Sequence, residues 1–218
     1  MKSAALARPL FRGILRAMRV SFVTTNPVKI ESVVRVLNGR GIEVEVADLD
    51  IPEIQAETAS EVAAAKAMEA FRLLNGPVLV NDFAFHIDAL NGWPGVYVKH
   101  ESERLGIGMF LQMLQMPGGG RYSCASRMAN ALGYMDGRLK TPKVFAREIR
   151  GVLSPDAYEA LPKKKGAWVH TIFVPDGETI PVGAMPPHRM DEWRKQGHVE
   201  GFYHELADWL IARGAPTD

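Results

Sequence analysis

Strands and helices alternate along the first part of this chain, and this alternation limits the possible folds more than any other feature of the sequence. Alternating apolar residues predict a strand over Arg19–Thr24, and apolar residues at helical spacing predict a helix over Pro27–Leu37. A second strand over Ile42–Val46, a helix over Glu61–Leu74 and a short buried strand over Pro77–Val80 are predicted to follow. This order is typical of an α/β sheet covered by helices.

The second half of the chain is richer in hairpin signals. A helix is predicted over Glu101–Met116, and two long strands joined by a hairpin are predicted over Arg121–Tyr134 and Lys143–Arg150. A further strand over Ile172–Val174 and a terminal helix around Phe202–Leu210 complete the pattern. We therefore expect an α/β fold with a mixed, elongated central sheet flanked by helices, arranged as two closely packed lobes.

The composition excludes several classes of protein. No window approaches the roughly 18 uninterrupted apolar residues of a membrane span, so we expect no membrane partner. The 26 basic and 25 acidic residues give a formal net charge of +1, whereas a dedicated nucleic-acid-binding protein usually carries a larger basic excess. A nucleic-acid-binding module, which we do not expect, would show salt-dependent binding to a random oligonucleotide. The single cysteine, Cys124, excludes an internal disulfide and a cysteine-based zinc site and fits a reducing cytoplasm.

Residues 1–17 form a basic N-terminal extension that contains one lysine, three arginines and no acidic residue. Such a segment is typical of a transit peptide. The alternative is a start codon assigned too early, because Met18 opens a regular strand pattern. Without the four basic residues the formal charge changes from +1 to −3, so the extension carries the slight basicity. Residues 18–218 are expected to form the functional domain.

The turn between the first strand and the first helix is a candidate phosphate site. The amides at a helix N-terminus favour an anion. Hydroxyls of Thr24 and Thr25, the amide of Asn26 and the ammonium of Lys29 would complete a phosphate cradle there. The alternative is ordinary capping of the helix with a solvated lysine.

Two carboxylates are candidate metal ligands. Glu53 follows the second strand, and Asp82 is predicted to follow the buried strand, where α/β proteins place ligand sites. Mg²⁺ takes oxygen ligands and uses only one or two carboxylates when a substrate supplies phosphates. The alternative for Asp82 is an aspartate in a surface turn.

Two further segments carry candidate binding residues. The glycines and proline of Gly92–Gly95 predict a tight loop that presents Lys99, and the alternative is a turn with a solvated lysine. His188 and Arg189 could hydrogen-bond a phosphate or the carbonyl of a base, although such a pair is more often surface charge.

Together these motifs resemble the inosine triphosphate pyrophosphatase family, the hydrolases of non-standard purine nucleotides such as ITP, dITP and XTP. The resemblance runs from Val20 to Arg189. Its strongest stretches are Phe22–Lys29, Asp50–Gln55, Gly76–Asp82 and Asp88–Tyr97. Several such blocks in the right order are far more specific than any one of them alone.

The resemblance implies hydrolysis of a Mg²⁺-bound nucleoside triphosphate at the α-phosphorus, which releases a nucleoside monophosphate and pyrophosphate. It also implies a homodimer. Glu53 would bind the metal, and Asp82 would contact the metal and position or deprotonate the attacking water. The residues that would hold the triphosphate are Lys29, Lys66 and Lys99, with support from Thr24, Thr25 and Asn26. His188 and Arg189 match the family's S-H-R element, which recognises the base.

The chain departs from the family pattern beside Asp82. The acidic residue that commonly precedes the catalytic aspartate is Asn81 here, which removes one carboxylate. The small hydroxyl residue and the glycine that commonly come after it are Phe83 and Ala84, which crowd this position.

The base-recognition motifs depart further. The family's F-G-[WY]-D-P-x-F block is Ala167–Phe173 here, so that the stacking aromatic is either lost or shifted to Trp168, and His170 replaces the base-reading aspartate. The F-A-E-M element survives only as Val182–Met185, and the serine of S-H-R is Pro187. Because histidine can donate where aspartate only accepts, we expect the chain to disfavour the N1–H of a 6-oxopurine and to have an altered base preference.

Two alternatives to a purine nucleoside triphosphate pyrophosphatase of this kind remain from the sequence. One is a divergent enzyme that acts on a specialised or modified nucleotide. The other is a non-catalytic nucleotide-binding or regulatory protein. Asn81 and Phe83 favour this second alternative, whereas Glu53, Asp82 and the three lysines speak against it.

Overall fold

The computed structural model describes residues 18–104, 112, 125–154, 168–195 and 200–214. In this part of the chain seven strands form one sheet: β1 (Met18–Val23), β2 (Ile42–Ala47), β3 (Val78–Ile87), β4 (Pro94–Gly95), β5 (Ala125–Met135), β6 (Lys143–Leu153) and β7 (Phe173–Pro175). The described helices are α1 (Pro27–Asn38), α2 (Ala59–Leu74), α3 (Val98–Arg104), α4 (Trp168–Ile172), α5 (Pro187–Trp193) and α6 (Gly201–Arg213). Short 3₁₀ turns cover Asp88–Leu90 and Val182–Ala184.

The sheet has a parallel part and an antiparallel part. The strand order is β2-β1-β3-β5-β6-β7, with β4 paired to the end of β3. β1 lies parallel to β2 and β3, whereas β5 is antiparallel to both β3 and β6. The predicted mixed sheet flanked by helices is therefore confirmed, as is the hairpin that joins β5 to β6.

The strand β3 is longer than the sequence pattern predicts. The pattern ends the strand at Val80 and places Asp82 just beyond it, but β3 continues to Ile87 and pairs with β5 along its whole length. Asp82 therefore lies in the middle of a strand, opposite Ala131. The polar pair Asn81-Asp82 hides the continuing alternation of apolar residues. Since successive side chains of a strand point to opposite faces, Asp82 and Phe83 project to opposite sides of the sheet.

The helix α2 packs closely against one face of the sheet. Its buried stripe is made of small residues, among them Ala63, Ala67 and Ala70, which pack against Val78 and Val80 of β3. A Cβ added at Gly133 of β5 would lie 2.8 Å from the carbonyl carbon of Ala63 and closer still to its oxygen. The small residues on both sides therefore let the helix approach the strands closely enough to bring its polar side chains to β3.

The opposite face of the sheet is covered by α1 and α6. Phe202, Leu206 and Leu210 of α6 share a cluster with Leu79 of β3 and Leu132 of β5. A third cluster lies at the far end of β3, where Phe85 and Ile87 meet residues of α4, β7 and α5. The two faces of β3 are thus buried against different helices.

Two other predicted elements are confirmed only in part, with shifted bounds. The predicted helix over Glu101–Met116 begins earlier, at Val98, and most of its predicted length beyond Arg104 lies outside the described residues. The strand predicted over Ile172–Val174 starts at Phe173, directly after the short helix α4. Among the described residues no helix is long and apolar enough to cross a membrane.

Candidate active site

The turn before α1 is both a helix cap and a support for Lys29. The side-chain oxygen of Asn26 accepts hydrogen bonds from the backbone amides of Val28 at 3.0 Å and Lys29 at 3.4 Å. The hydroxyl oxygen of Thr24 accepts from the backbone amide of Asn26 at 3.2 Å, and Thr25 is exposed beside it. Asn26 therefore caps α1, as the alternative predicts, but the lysine of that alternative is not solvated. The cap fixes the turn from which Lys29 projects.

Lys29 reaches across to strand β3. Its Nζ donates to the backbone carbonyl of Asn81 at 3.1 Å, a contact that the sequence does not reveal. The pKa of Lys29 is lowered to about 8, chiefly by burial, with smaller lowering contributions from the positive charges of Lys66 and Lys99 and an opposing contribution from Asp82. At pH 7 the ammonium is still the main form.

Lys66 connects the two candidate metal ligands. Its Nζ lies 2.5 Å from Oε1 of Glu53 and 3.0 Å from Oδ1 of Asp82. Glu53 belongs to the segment between β2 and α2, Lys66 to α2 and Asp82 to β3. Three elements that are separate in sequence therefore contribute one lysine–carboxylate cluster.

A local signal in the sequence marks Lys66, although only the family resemblance assigned it a role. Val62, Ala63, Ala67 and Ala70 form the buried stripe of α2 at helical spacing, and Lys66 falls within that stripe. A lysine at a core-facing position of a helix needs a partner, because burying an unpaired charge is unfavourable. Here the partners are the two carboxylates.

The two carboxylates of the cluster have opposite pKa shifts. Burial raises the pKa of Asp82 and outweighs the lowering effect of Lys66. Burial would also raise the pKa of Glu53, but its hydrogen bond and charge interaction with Lys66 reverse the shift and lower it. Burial alone would lower the pKa of Lys66, yet Asp82 and Glu53 together raise it. Carboxylates whose pKa values are driven apart can take different chemical roles, so Asp82 is the better base and Glu53 the more firmly ionised ligand.

Lys99 lies on the same side of the protein as the cluster. It occupies the first turn of α3, is exposed, and its charge lowers the pKa of both Lys29 and Glu53. The loop before it is braced by His86, whose Nδ1 lies 3.1 Å from the carbonyl oxygen of Gly92. Sequence reasoning did not assign this bracing role to His86.

His170 and Phe83 meet on the opposite face of β3. His170 belongs to the short helix α4, which begins at Trp168, and its ring centroid lies 6.2 Å from that of Phe83 with the planes tilted by 31°. Part of His170 is open to solvent, but the surrounding protein lowers the pKa of its imidazole, and Arg194 lowers it further. The neutral ring therefore presents one donor and one acceptor at pH 7.

Gly183 stands where the family's F-A-E-M element has alanine, and the glycine has a steric reason. This glycine lies in the 3₁₀ turn that packs on α4, and a Cβ there would come within 2.9 Å of the carbonyl oxygen of His170. The turn and α4 can therefore approach closely only without a side chain at this position.

Arg189 is bound by carboxylates in this structure. It lies on α5, and its Nη2 is 2.5 Å from Oε1 of Glu178 while its Nη1 is 3.3 Å from Oε2 of Glu192. His188 is exposed beside it. Among the described residues no hydrogen bond or ion pair connects this pair to the lysine–carboxylate cluster. Glu178, which holds the guanidinium, was not predicted from the sequence.

The carboxylate oxygens of Glu53 and Asp82 suit a metal ion that binds together with a phosphate ligand. In the described part of the chain no three His, Cys, Asp or Glu side chains are grouped as a complete metal site. Glu53 and Asp82 supply two carboxylates that face a common cation position. Mg²⁺ commonly binds through one or two carboxylates and takes its other oxygens from substrate phosphates and water, so these residues fit that ion.

Comparison with known proteins agrees with the sequence resemblance. The model of the Ham1 family matches residues 20–198. A protein of Methanopyrus kandleri named dITP/XTP pyrophosphatase is 34% identical over 194 residues, which are 88% of this chain and 96% of that relative. A protein of the same name from Thermococcus kodakarensis is 28% identical over 88% of this chain and 97% of its own length.

Solved structures show the same fold. The structure of a HAM1 protein from Coxiella burnetii superposes with a TM-score of 0.72 at 17% identity and covers 89% of this chain and 99% of its own. The family resemblance predicted from the motifs is confirmed by the match over residues 20–198 and by the 34% identical relative. The chain belongs to the Ham1 family.

Proposed function

We propose that this chain is a Mg²⁺-dependent nucleoside triphosphate pyrophosphohydrolase that cleaves its substrate at the α-phosphorus. The relatives named dITP/XTP pyrophosphatases support hydrolysis of a nucleoside triphosphate. The single observation that carries the proposal is the cluster in which Lys66 joins Glu53 and Asp82 beside the buried ammonium of Lys29.

The positive charges account for binding of the triphosphate. A triphosphate carries close to four negative charges and needs several cations to leave water. Lys29, Lys66 and Lys99 supply three, and the positive end of the dipole of α1 adds to them. Phosphoryl transfer depends mostly on such positioning and electrostatic stabilisation.

The carboxylates account for the chemistry. Glu53 and Asp82 would hold Mg²⁺, which neutralises phosphate charge and orients the substrate when it is bound. Asp82 accepts a proton from water as the water oxygen attacks the α-phosphorus, and the bond from that phosphorus to the bridging oxygen breaks. The products are a nucleoside monophosphate and pyrophosphate. The raised pKa of Asp82 makes it a stronger base than an exposed aspartate.

The substrate class we propose is a purine nucleoside triphosphate with a base preference shifted from that of the dITP/XTP pyrophosphatases. The support lies in Phe83 and His170, which form an aromatic pair in place of a hydroxyl residue and an acceptor. A neutral imidazole can donate to a base acceptor, which an ionised aspartate cannot do. A preference for ITP or XTP of 100-fold or more over every other nucleotide would overturn this part of the proposal.

The test is release of pyrophosphate and orthophosphate with Mg²⁺ across a panel of nucleotides. The panel contains ITP, dITP, XTP, the common NTPs and dNTPs and several modified purines. Pyrophosphate is expected as the inorganic product, and orthophosphate in its place would contradict cleavage at the α-phosphorus. Omission of Mg²⁺, with chelator present, is expected to abolish release.

One observation favours a second candidate, a nucleotide-binding protein that does not turn its ligand over. The side-chain amide of Asn81 donates to the backbone carbonyl of Ala131 at 3.2 Å, so this position holds the sheet together and supplies no carboxylate. Binding of nucleotides from the panel without any product would support this candidate. The predicted homodimer, the cytoplasmic location and the absence of a nucleic-acid partner stay predictions from the sequence.

A further inference from the structure

Lys66 occupies the position that a metal ion would need. Its Nζ lies 2.5 Å from Oε1 of Glu53 and 3.0 Å from Oδ1 of Asp82, so these oxygens are at most about 5.5 Å apart, the sum of the two distances. Oxygens that share one Mg²⁺ are at most about 4.2 Å apart, since each lies about 2.1 Å from the ion. A metal held by both oxygens would therefore sit at or next to the present site of the ammonium.

The charges of the cluster disfavour a metal on its own. Glu53 and Asp82 carry two negative charges, which Lys29 and Lys66 balance. A divalent cation added alone would leave two uncompensated positive charges and would lie against the Lys66 ammonium. When the same cation arrives with a triphosphate, the negative charges of the phosphates more than balance its two positive charges. The Lys66 ammonium then gains phosphate oxygens as new partners.

The surroundings allow the ammonium to move. The Lys66 side chain is 17% exposed and Asp82 is 12% exposed, whereas Glu53 is 53% exposed on the open side of the cluster. The ammonium sits on a flexible four-carbon stem, so it can change partners while α2 stays packed on the sheet.

We propose that Lys66 acts as a resident counter-ion that holds Glu53 and Asp82 until the metal arrives with the nucleotide, and then moves to the phosphates. This inference rests on the proposed function, because it takes the two carboxylates as the metal ligands. It has a direct consequence: the nucleotide-free protein binds free divalent cations weakly, and removal of the Lys66 ammonium strengthens that binding.

The experiment measures Mn²⁺ binding to the nucleotide-free protein by the loss of the free-ion EPR signal. Lys66→Met is expected to bind Mn²⁺ about tenfold more tightly than the unaltered chain, and Lys66→Gln is expected to do the same. The matched control is Lys29→Met, which removes the same charge from a position beside the cluster. Since Lys29 contacts a backbone carbonyl and, among the described residues, no carboxylate, its removal is expected to tighten binding by only about twofold.

Two results would overturn the inference. One is Mn²⁺ affinity in Lys66→Met and Lys66→Gln that equals that of the unaltered chain. The other needs no variant: tight binding of free Mn²⁺ by the unaltered chain, with a Kd on the order of 10 μM or below.

A further variant separates failure of this inference from failure of the proposed function. Glu53→Gln, made both in the unaltered chain and together with Lys66→Met, is expected to weaken Mn²⁺ binding in both. If Glu53→Gln has no effect in either background, the metal assignment of the proposed function is wrong. If it weakens binding but removal of Lys66 does not strengthen it, only the counter-ion role of Lys66 is wrong.

Discussion

Replacing Asp82 with asparagine separates the chemistry of the site from the stability of the fold. The substitution keeps the shape of a side chain that is nearly buried in the middle of β3, and it removes the charge. An amide cannot accept a proton from water, so the proposed general base is lost. We expect turnover to fall by at least about 10²-fold and by as much as about 10⁴-fold, which is about 3 to 5 kcal/mol in the activation free energy.

The free energy of unfolding is expected to change little, because two effects oppose each other. Burial raises the pKa of Asp82, so the ionised carboxylate is unfavourable in the folded chain and its removal is stabilising. The same change removes one partner of Lys66, yet Glu53 remains 2.5 Å from its Nζ. We expect a net change within about 1 kcal/mol, and therefore a shift of the melting temperature within about 4 °C.

The assay is pyrophosphate release at saturating Mg²⁺ and nucleotide, with a thermal melt of the same samples. Asp88→Asn is the matched control. This aspartate directly follows β3, is exposed, and forms an ion pair with Arg127 at 3.3 Å on the protein surface. The control is expected to keep the turnover of the unaltered chain. In the unaltered chain, activity should be lost on acidification at a pH above the ordinary aspartate pKa of 3.8, because the pKa of Asp82 is raised. Turnover by Asp82→Asn close to that of the unaltered chain would refute the catalytic assignment.

Three further predictions concern Lys29, Gly133 and Glu178. Lys29→Ala is expected to raise KM for the triphosphate at least tenfold while leaving the order of preferred bases unchanged. In the unaltered chain KM should rise as the pH passes about 8, because the Lys29 ammonium then loses its proton. Steady-state kinetics from pH 7 to 9.5 check both expectations. Gly133→Ala is expected to lower the free energy of unfolding by about 2 kcal/mol or more, because the new methyl group meets the backbone of Ala63. Urea denaturation measures this change. An unchanged free energy of unfolding would mean that α2 packs less closely on β5. Glu178→Gln is expected to raise KM for the preferred nucleotide more than it lowers kcat, because Arg189 loses the negative charge that orients its guanidinium. An unchanged KM across the nucleotide panel would contradict a positioning role for Glu178.

Local patterns predicted much of the fold and some of the candidate site. The alternation of strands and helices up to Val80 arises from side-chain periodicity, which acts over about four residues and needs no tertiary information. The cap at Asn26 and the turn that carries Lys29 are local in the same sense. The motif around Asp82 was visible in the sequence, but its position within a long strand was not.

The tertiary structure decided which of these residues meet. Lys66 reaches both Glu53 and Asp82 only because α2 packs closely on β3 and β5, a distance set by Ala63 and by Gly133 seventy positions further along the chain. Periodicity places a residue on the face of its own strand or helix, whereas a contact between elements depends on how those elements pack, which no local pattern contains. The sequence by itself therefore determined the elements and the chemical groups they carry, and the packing of helices on the sheet determined that a lysine separates the two carboxylates of the site.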